Sequence, residues 1–244
     1  MKQVLKKICI YQPNVFPPLH YFNRIMNSDM WVMLDDVQIN RKVGQTRFSL
    51  KINGDKHVRT VPLLGGNRIK INEAAITYQE DWIAKLQKTF DHAYARSPYF
   101  EMVRSIVFNY IDLHQRMNTG FHLFCEQFTI DMLRMLGWQG SVISSTGMTR
   151  DSRASERMAE IVHDLNGTHY VCGGEGFRQY VELDHFRRRS LSVIVQDWRC
   201  PEYPQSKGKF VPNLSILDLI ANVGLNGAKE LLVSGGTAGW RAYS

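Results

Sequence analysis

Four side chains that can hydrogen-bond a small molecule lie between positions 11 and 20. Tyr11 and Gln12 close a short apolar run, Asn14 follows in a loop with three prolines, and His20 opens the next apolar segment. In an open α/β sheet, the loop after the first strand is the usual place for a ligand site. Phenol, amide and imidazole groups on such a stiffened loop indicate an enzyme rather than a scaffold.

A pair of adjacent acids, Asp35 and Asp36, follows the second apolar run and precedes Gln38. One carboxylate of such a pair can bind Mg²⁺ or act as a general base. Because neighbouring side chains on an extended chain point to opposite faces, we expect only one of the two to enter a site. The alternative is that both are solvated acids in the turn that ends the strand.

Groups suited to binding an anion are found in two further segments. Arg41, Gln45 and Arg47 lie in a basic stretch, and arginine can bind phosphate or carboxylate through two parallel hydrogen bonds. Ser145 and Arg153 belong to a loop rich in Ser, Thr and Arg that precedes a predicted helix. Such a loop can hold an anion, although simple N-capping of the helix explains the same residues.

A glycine-rich turn, Gly173-Gly174-Glu175-Gly176, follows another predicted strand. Because glycine has no Cβ, backbone amides in such a turn can approach a ligand closely. The spacing matches neither a Walker loop nor a dinucleotide fingerprint, so the turn does not by itself identify a nucleotide. Cys172, which precedes the turn, is a conceivable nucleophile, but the sequence shows no Cys–His pattern that would activate it.

These residues need a scaffold that brings several strand ends together. Ile8–Tyr11 and Met30–Leu34 are predicted strands, and Leu19–Asn27 between them is a predicted helix. A strand–helix–strand unit implies a parallel pair joined by a right-handed crossover. Further along, Asn53-Gly54 between two alternating segments indicates a β-hairpin.

Residues 79–138 show apolar residues at helical spacing, which favours core packing over a cofactor-binding stripe. We expect this segment to form a helical lobe, with Gly137 just beyond its last helix. The rest of the chain is predicted to contain strands at 140–144, 168–172 and 192–196, and helices at 155–166, closed by Gly167, and at 214–224. The last ten residues are Gly-rich and are expected to fray.

Composition limits the functional classes. The 244 residues carry a net charge of +7, and the excess is confined to residues 1–75, which hold 12 Lys/Arg against 5 Asp/Glu. This distribution suits either a basic surface or an anionic ligand such as a nucleotide, a sugar nucleotide or tRNA. The four cysteines form no CxxC pair, and no apolar run has the length of a membrane span. We expect a soluble cytoplasmic protein that does not bind DNA or a membrane.

Several of these segments together resemble the WbqC-like protein family, in the same order and over nearly the whole chain. The matching residues are Tyr11-Gln12-Pro13, Pro17, Tyr21-Phe22, Leu34 to Gln38, Gln45, Arg47, Val61-Pro62, Ser144-Ser145, Ser155-Glu156-Arg157, Tyr170, Gly173, Gly174, Gly176, Tyr180, Tyr203-Pro204-Gln205, Phe210, Pro212, Leu214-Ser215, Asp218-Leu219 and Gly224. The resemblance implies an aminoacyl (glycyl) transferase that acts on amino sugars and occurs with genes for O-antigen and other surface polysaccharides.

The chain departs from the family pattern at four positions. Pro18 and His20 stand where the family usually has Trp and Gly, and Gly44 stands where an aromatic residue often precedes the Gln. Cys172 replaces the usual Ser, which argues against an obligatory thiol. The first two changes alter the shape of the opening loop and so bear on which acceptor is bound.

From the residues and the resemblance we predict one α/β domain over residues 1–244, with a Rossmann-like, mainly parallel sheet and the inserted lobe at 79–138. The predicted reaction transfers an acyl group to the amine of a small-molecule or nucleotide-linked amino-sugar acceptor. The donor is either an aminoacyl-tRNA or an aminoacyl-adenylate made from ATP with Mg²⁺. The oligomeric state is left open.

Acyl transfer needs a base for the amine, donors for the developing oxyanion, and groups that position the substrates. Asp35 or Asp36 is the expected base or metal ligand, with His20 as a base special to this chain. The expected substrate-binding residues are Tyr11, Gln12, Asn14, Gln38, Gln45, Arg47, Ser145, Arg153, Gly173, Gly174, Tyr203 and Gln205.

Two other functions are compatible with the same residues. Pro17-Pro18-Leu19-His20-Tyr21 after a strand, with the distant Ile143-Ser144-Ser145-Thr146, resembles nucleotidylyltransferases of the HIGH superfamily, in which such segments hold ATP phosphates. The third hypothesis is a non-catalytic module that binds a nucleotide or a sugar within a biosynthetic assembly.

Overall fold

The apolar runs of the sequence form strands, and the segments of helical periodicity form helices around them. The computed structural model describes residues 5–41, 44–66, 68–78, 81–148, 151–233 and 239–244. The strands are β1 (Lys7–Tyr11), β2 (Met30–Met33), β3 (Arg47–Ile52), β4 (Asp55–Thr60), β5 (Ser141–Ser144), β6 (His169–Gly173), β7 (Ser192–Gln196) and β8 (Trp240–Tyr243). The helices are α1 (Leu19–Met26), α2 (Trp82–Tyr94), α3 (Phe100–Arg116), α4 (Phe121–Met135), α5 (Ala154–Asp164), α6 (Gly174–Tyr180), α7 (Leu183–Arg187) and α8 (Ile216–Val233), with a 3-10 turn at Ile71–Glu73.

The central sheet has six strands in the order β5-β2-β1-β6-β7-β8. All neighbouring pairs are parallel except β7 and β8, which are antiparallel. If the five parallel strands are numbered in chain order, their spatial order is 3-2-1-4-5, which is that of a doubly wound nucleotide-binding sheet. The predicted Rossmann-like α/β class is confirmed.

The two faces of the sheet are covered by different helices because alternate residues of a strand point to opposite sides. Cys9 and Trp31 face a core that also contains apolar residues of α1, α4 and α8. Ile8 and Val32 face a second core, formed with α5 and α7. The β1–β2 connection therefore lies on one face and the β6–β7 connection on the other.

Three long helices, α2, α3 and α4, occupy the segment that was predicted as a helical lobe. Its first two predicted residues, 79 and 80, lie outside the described residues. Gly137 has φ +89° and follows the last turn of α4, as expected for the residue beyond a helix end. Asn53 and Gly54 both have positive φ between β3 and β4, so the predicted hairpin is confirmed.

Three predicted ends of elements were wrong. The residue with positive φ after α5 is Asn166, at +54°, and not Gly167. Gly224, at φ +72°, kinks the last helix rather than ending it, because the chain resumes helical geometry up to Val233. The expected frayed C-terminus contains β8, which pairs with β7 from Val193↔Tyr243 to Gln196↔Trp240.

A helix that spans a bilayer needs about 20 mostly apolar residues. None of the helices within the described ranges is long and apolar enough to cross a membrane.

Candidate functional site

A cavity of about 870 Å³ opens at the carboxyl ends of β1, β6 and β7. It lies where the winding of the sheet reverses, since the chain proceeds from β1 to β2 on one side and from β6 to β7 on the other. Ligands of open α/β sheets bind in this crevice. The residues that line it include Tyr11, Gln12, His20, Arg24, Gln38, Asn40, Gln45, Tyr170, Cys172, Gly173, Gly174, Glu175, Arg178, Tyr180, Gln196, Asp197, Trp198 and Asn213.

A buried arginine is the main charged group of the cavity wall. Arg24 is only 7% exposed, and its guanidinium carbon lies 4.5 Å from the centre of the Tyr11 ring. Its Nε and Nη2 atoms donate to Oε1 of Gln196 at 3.2 and 3.0 Å. Gln196 is fixed in turn because its Nε2 donates to Oδ1 of Asn23 and to the carbonyl of His20. The guanidinium is therefore held in place by neutral groups.

The first glycine of the predicted turn makes room for this arginine. A Cβ on Gly173 would lie 2.3 Å from Nη2 of Arg24, whereas a Cβ on Gly174 would meet its nearest atoms at 3.5 Å. Gly173 ends β6 and Gly174 begins the short helix α6. The close approach that glycine permits here is thus to a side chain of the same protein.

Amide side chains form the opposite part of the wall. Gln45 is 2% exposed, and its Nε2 donates to Oε1 of Gln12 at 2.7 Å. Oε1 of Gln45 accepts the backbone N–H of Asn40 at 2.6 Å, and the carbonyl of Gln12 accepts the hydroxyl of Tyr21. These bonds use the oxygen of the Gln12 side-chain amide, and its NH₂ group donates no hydrogen bond to another described residue.

His20 lines the cavity one helical turn before Arg24, and its ring centre lies 6.2 Å from that of Trp198. Burial, followed by the charges of Arg24 and Lys56, lowers the pKa of His20 to about 3. The imidazole is therefore neutral near pH 7, and protonating it is costly. A general base works best with a pKa near the working pH, so this environment disfavours the base role expected for His20.

The one cysteine of the wall is poorly suited to nucleophilic chemistry. Burial raises the pKa of Cys172 to about 12 despite the nearby charge of Arg24. The thiolate, which is the reactive form, is scarce at neutral pH under these conditions. This agrees with the argument from sequence against an obligatory thiol.

The adjacent acids lie at a different strand junction, between β2 and β5, and do not line the cavity. Asp35 is 1% exposed and accepts the hydroxyls of Ser144 and Thr146 at 2.7 and 2.9 Å and the backbone N–H of Thr146 at 3.1 Å. Ser145 lies within hydrogen-bond distance of both acids, at 3.2 Å from Asp35 and 2.6 Å from Asp36. The two side chains converge on Ser145 and do not point to opposite faces, because β2 ends at Met33 and the chain bends at the acids.

Asp36 also forms an ion pair with Arg157 of α5, with 2.5 Å between Nη2 and Oδ2. Arg157 and the exposed Arg153 line a smaller depression of about 430 Å³, on the α5 side of this junction. Arg153 supplies no side-chain cap to α5. The Ser/Thr loop therefore binds the two acids of its own chain.

The remaining predicted residues are distributed over other parts of the molecule. Asn14 is buried outside the cavity wall, and Arg47 is exposed at the start of β3. Tyr203 and Gln205 donate to Oδ2 of the buried Asp218, at 2.7 and 3.3 Å. Desolvation raises the pKa of Asp218, and these hydrogen bonds oppose that shift. Tyr203 and Gln205 thus belong to a buried polar cluster under α8.

The structure brings together seven of the predicted residues, namely Tyr11, Gln12, His20, Gln38, Gln45, Gly173 and Gly174. Sequence reasoning missed Arg24, Gln196, Arg178 and Trp198, which line the same cavity. Two signals were available in the sequence. Residues four apart on a helix share a face, which places Arg24 beside His20, and Gln196 ends a predicted strand just as the acids do.

Within the described ranges, no group of three or more His, Cys, Asp or Glu side chains is arranged to hold a metal ion.

Comparisons with known proteins give a family and one relative. The model of the WbqC-like protein family matches residues 12–230. The chain is also 27% identical over 224 residues to a protein of Mycobacterium tuberculosis (strain ATCC 25618 / H37Rv) named "Uncharacterized protein Rv1507c", and the match covers 90% of this chain and 95% of the relative. No solved structure matches the chain.

Proposed function

This chain belongs to the WbqC-like protein family, and on that premise we propose that it transfers an aminoacyl group to the amine of an acceptor bound in the cavity between β1 and β6. The proposed acceptor is a small molecule or a nucleotide-linked amino sugar. The observation that carries the proposal is the position of this large polar cavity at the reversal of strand order, where α/β enzymes bind substrates.

The proposed step joins the acceptor nitrogen to the carbonyl carbon of the donor. The bond from that carbon to the leaving oxygen breaks, the oxygen leaves with the bonding electrons, and the amine loses one proton. We assign the oxyanion contact to the free NH₂ group of Gln12, which Gln45 orients through its own hydrogen bond. Preorganised donors of this kind stabilise charge that develops in the transition state.

Glu175 is the proposed base. It lines the cavity with an exposed carboxylate, which accepts a hydrogen bond from the side-chain amide of Gln179 at 3.3 Å. Asp35 is less suited to this task because hydroxyl and backbone donors already occupy its oxygens. The base role expected for Asp35 or Asp36 therefore passes, in this proposal, to a carboxylate that reaches the cavity.

The test supplies radiolabelled glycine to the purified protein in two forms, as glycyl-tRNA and as free glycine with ATP, together with a panel of amino sugars and their nucleotide-linked forms. We expect labelled acceptor with one donor, and its loss in Glu175→Gln and Gln12→Ala. Glu101→Gln, at an exposed glutamate of α3, is the matched control. If RNase treatment abolishes the labelled acceptor, the donor is the aminoacyl-tRNA. If AMP or pyrophosphate is released, the donor is the aminoacyl-adenylate. The proposal fails if neither donor labels any acceptor, or if Glu175→Gln keeps full activity.

Nucleotidylyl transfer is the second candidate, and it is favoured by the position of His20 and Arg24 on one face of α1 inside the cavity. A neutral imidazole keeps one ring N–H and can donate it to a phosphate oxygen without being protonated to the imidazolium. This candidate predicts ATP-dependent transfer of a nucleotidyl label to an acceptor, abolished in His20→Ala. If the protein binds a nucleotide or a sugar but forms neither the aminoacylated nor the nucleotidylated acceptor, it is the non-catalytic binding module.

A further inference from the structure

The guanidinium of Arg24 is buried without a counter-ion. Among the described residues, no carboxylate lies within ion-pair distance of it, and its contacts are to neutral groups, the amide of Gln196 and the ring of Tyr11. A buried charge that is not paired costs free energy, and proteins seldom retain one without a partner. Because arginine keeps its proton at every physiological pH, that partner must be an anion.

Residues that contact Arg24 in the fold hold its guanidinium in the cavity wall. Gln196 is held by two donated bonds, and it presents its oxygen to Arg24. Gly173 leaves the space that Nη2 of Arg24 occupies, since any Cβ there would lie 2.3 Å away. A guanidinium held in this way loses little rotamer entropy when an anion binds, which is the usual benefit of a preorganised site.

A second arginine, Arg178 on α6, lines the same cavity and is exposed. No carboxylate of the described chain pairs with it. Of the two acids in the wall, Asp197 is paired with Arg241 at 3.1 Å, and Glu175 accepts the amide of Gln179. The cavity therefore holds two cations available to a ligand. The lowered pKa of His20, to which the charge of Arg24 contributes, is consistent with this positive potential.

We propose that the cavity binds the diphosphate group of a nucleoside-diphosphate-linked substrate through Arg24 and Arg178. Two guanidiniums match two adjacent phosphoryl groups better than a single carboxylate, and the volume of about 870 Å³ accepts a ligand of that size. Trp198, whose indole N–H donates to Asn213 at 2.7 Å, gives a fixed aromatic face for the base. This inference rests on the proposed function only in taking this cavity as the substrate site.

The probe is inorganic pyrophosphate, titrated calorimetrically into the intact protein, with malonate as the dicarboxylate comparison. We expect pyrophosphate to bind and malonate to bind at least about tenfold more weakly. Gly173→Ala displaces the guanidinium without changing its charge, and Arg178→Gln removes the second cation at an exposed position. Each is expected to weaken pyrophosphate binding by about tenfold or more, the scale of one lost charge-assisted contact.

Matched controls are Gly66→Ala, where an added Cβ meets no atom within 4 Å, and Arg96→Gln, at an exposed arginine between α2 and α3. Both should bind pyrophosphate as the wild type does. The inference is overturned if pyrophosphate does not bind, if malonate binds equally well, or if Gly173→Ala and Arg178→Gln both bind as the wild type does. Because binding needs no turnover, pyrophosphate binding without acyl transfer refutes only the proposed function, and transfer without pyrophosphate binding refutes only this inference.

Discussion

Two strand junctions on the same edge of the sheet have opposite chemistry. At the β2–β5 junction, the carboxylates of Asp35 and Asp36 are surrounded by hydroxyls, a backbone N–H and Arg157, all from this chain. At the β1–β6 junction, Arg24 has a neutral amide as its hydrogen-bond partner and lines the cavity of about 870 Å³. At the first junction the charged groups are paired within the protein. At the second, Arg24 has no carboxylate partner among the described residues.

The difference shows that charged groups at one edge of a sheet can serve two purposes. Some stabilise the fold, and others bind a ligand. A buried polar group that has all its partners rigidifies the fold, whereas one that lacks a partner costs stability until a ligand supplies it. Arg24 therefore marks a binding site more directly than the two acids do. Substitutions at the two junctions should accordingly separate loss of stability from loss of binding.

The largest expected effect is at the β2–β5 junction. Asp35→Ala leaves the hydroxyls of Ser144 and Thr146 and a backbone N–H without their acceptor, so the free energy of unfolding should fall by about 3 kcal/mol. Urea unfolding at neutral pH measures this, with Asp55→Ala at the exposed start of β4 as the control. A variant with wild-type stability that fails to bind pyrophosphate would reverse the assignment of the two junctions.

The next effect concerns His20 at the β1–β6 junction, where burial and nearby positive charges disfavour the imidazolium. The pKa of His20 is about 3 in the folded protein and about 6.5 when unfolded, so below about pH 6.5 the unfolded state binds a proton that the folded state does not. Stability contributed by the neutral imidazole is present above the unfolded pKa and is lost as the pH falls toward 3. The free energy of unfolding changes by at most about 1.4 kcal/mol per pH unit for one proton. Between about pH 6.5 and pH 5 the loss is therefore about 2 kcal/mol.

His20→Gln should remove this pH-dependent part, which is measured as the difference between its free energy of unfolding and that of the wild type at pH 7 and pH 5. His92→Gln, at an exposed histidine of α2, should keep the wild-type pH dependence. Parallel pH curves for His20→Gln and the wild type would show that burial and the charges of Arg24 and Lys56 do not lower the pKa of His20.

The smallest effect tests whether Asp36 is a structural partner of Arg157. Arg157→Gln removes the charge opposite a carboxylate that is 20% exposed, and the expected loss in the free energy of unfolding is about 1 kcal/mol. In a double-mutant cycle, adding Asp36→Asn should recover part of that loss, because it removes the charge left unpaired. If the changes in free energy of unfolding of Arg157→Gln and Asp36→Asn simply add in the double variant, the ion pair does not couple α5 to this junction.

Much of the fold could be predicted because its signals are local. The apolar run at Ile8–Tyr11, the helix from Leu19 and the strand from Met30 required a parallel pair, and Asn53-Gly54 specified a hairpin. The strand β8 could not be predicted, since four residues after a Gly-rich stretch form a strand only because the edge of β7 pairs with them. Gly224 was taken for a helix end, but its positive φ produces a kink at which Tyr99 packs closely.

The candidate site was only half predictable for a similar reason. Gln12 and Gly173 were identified from their places after predicted strands and Gln45 from its basic segment, and all three line the cavity. Tyr203 and Gln205 were also expected there, but the buried charge of Asp218 attracts both. Arg24 was missed because an arginine within a short helix is usually a solvated surface residue.

The sequence by itself determined the parallel α/β class, the polar loop after β1 and the confinement of excess positive charge to the first 75 residues, because periodicity, turn chemistry and composition are properties of the linear chain. Only the tertiary structure decided which charges are neutralised within the protein. Asp35 meets hydroxyls 109 to 111 positions away, whereas Arg24 meets an amide 172 positions away. Pairing depends on which distant strand ends adjoin, and that follows from the order of the strands in the sheet.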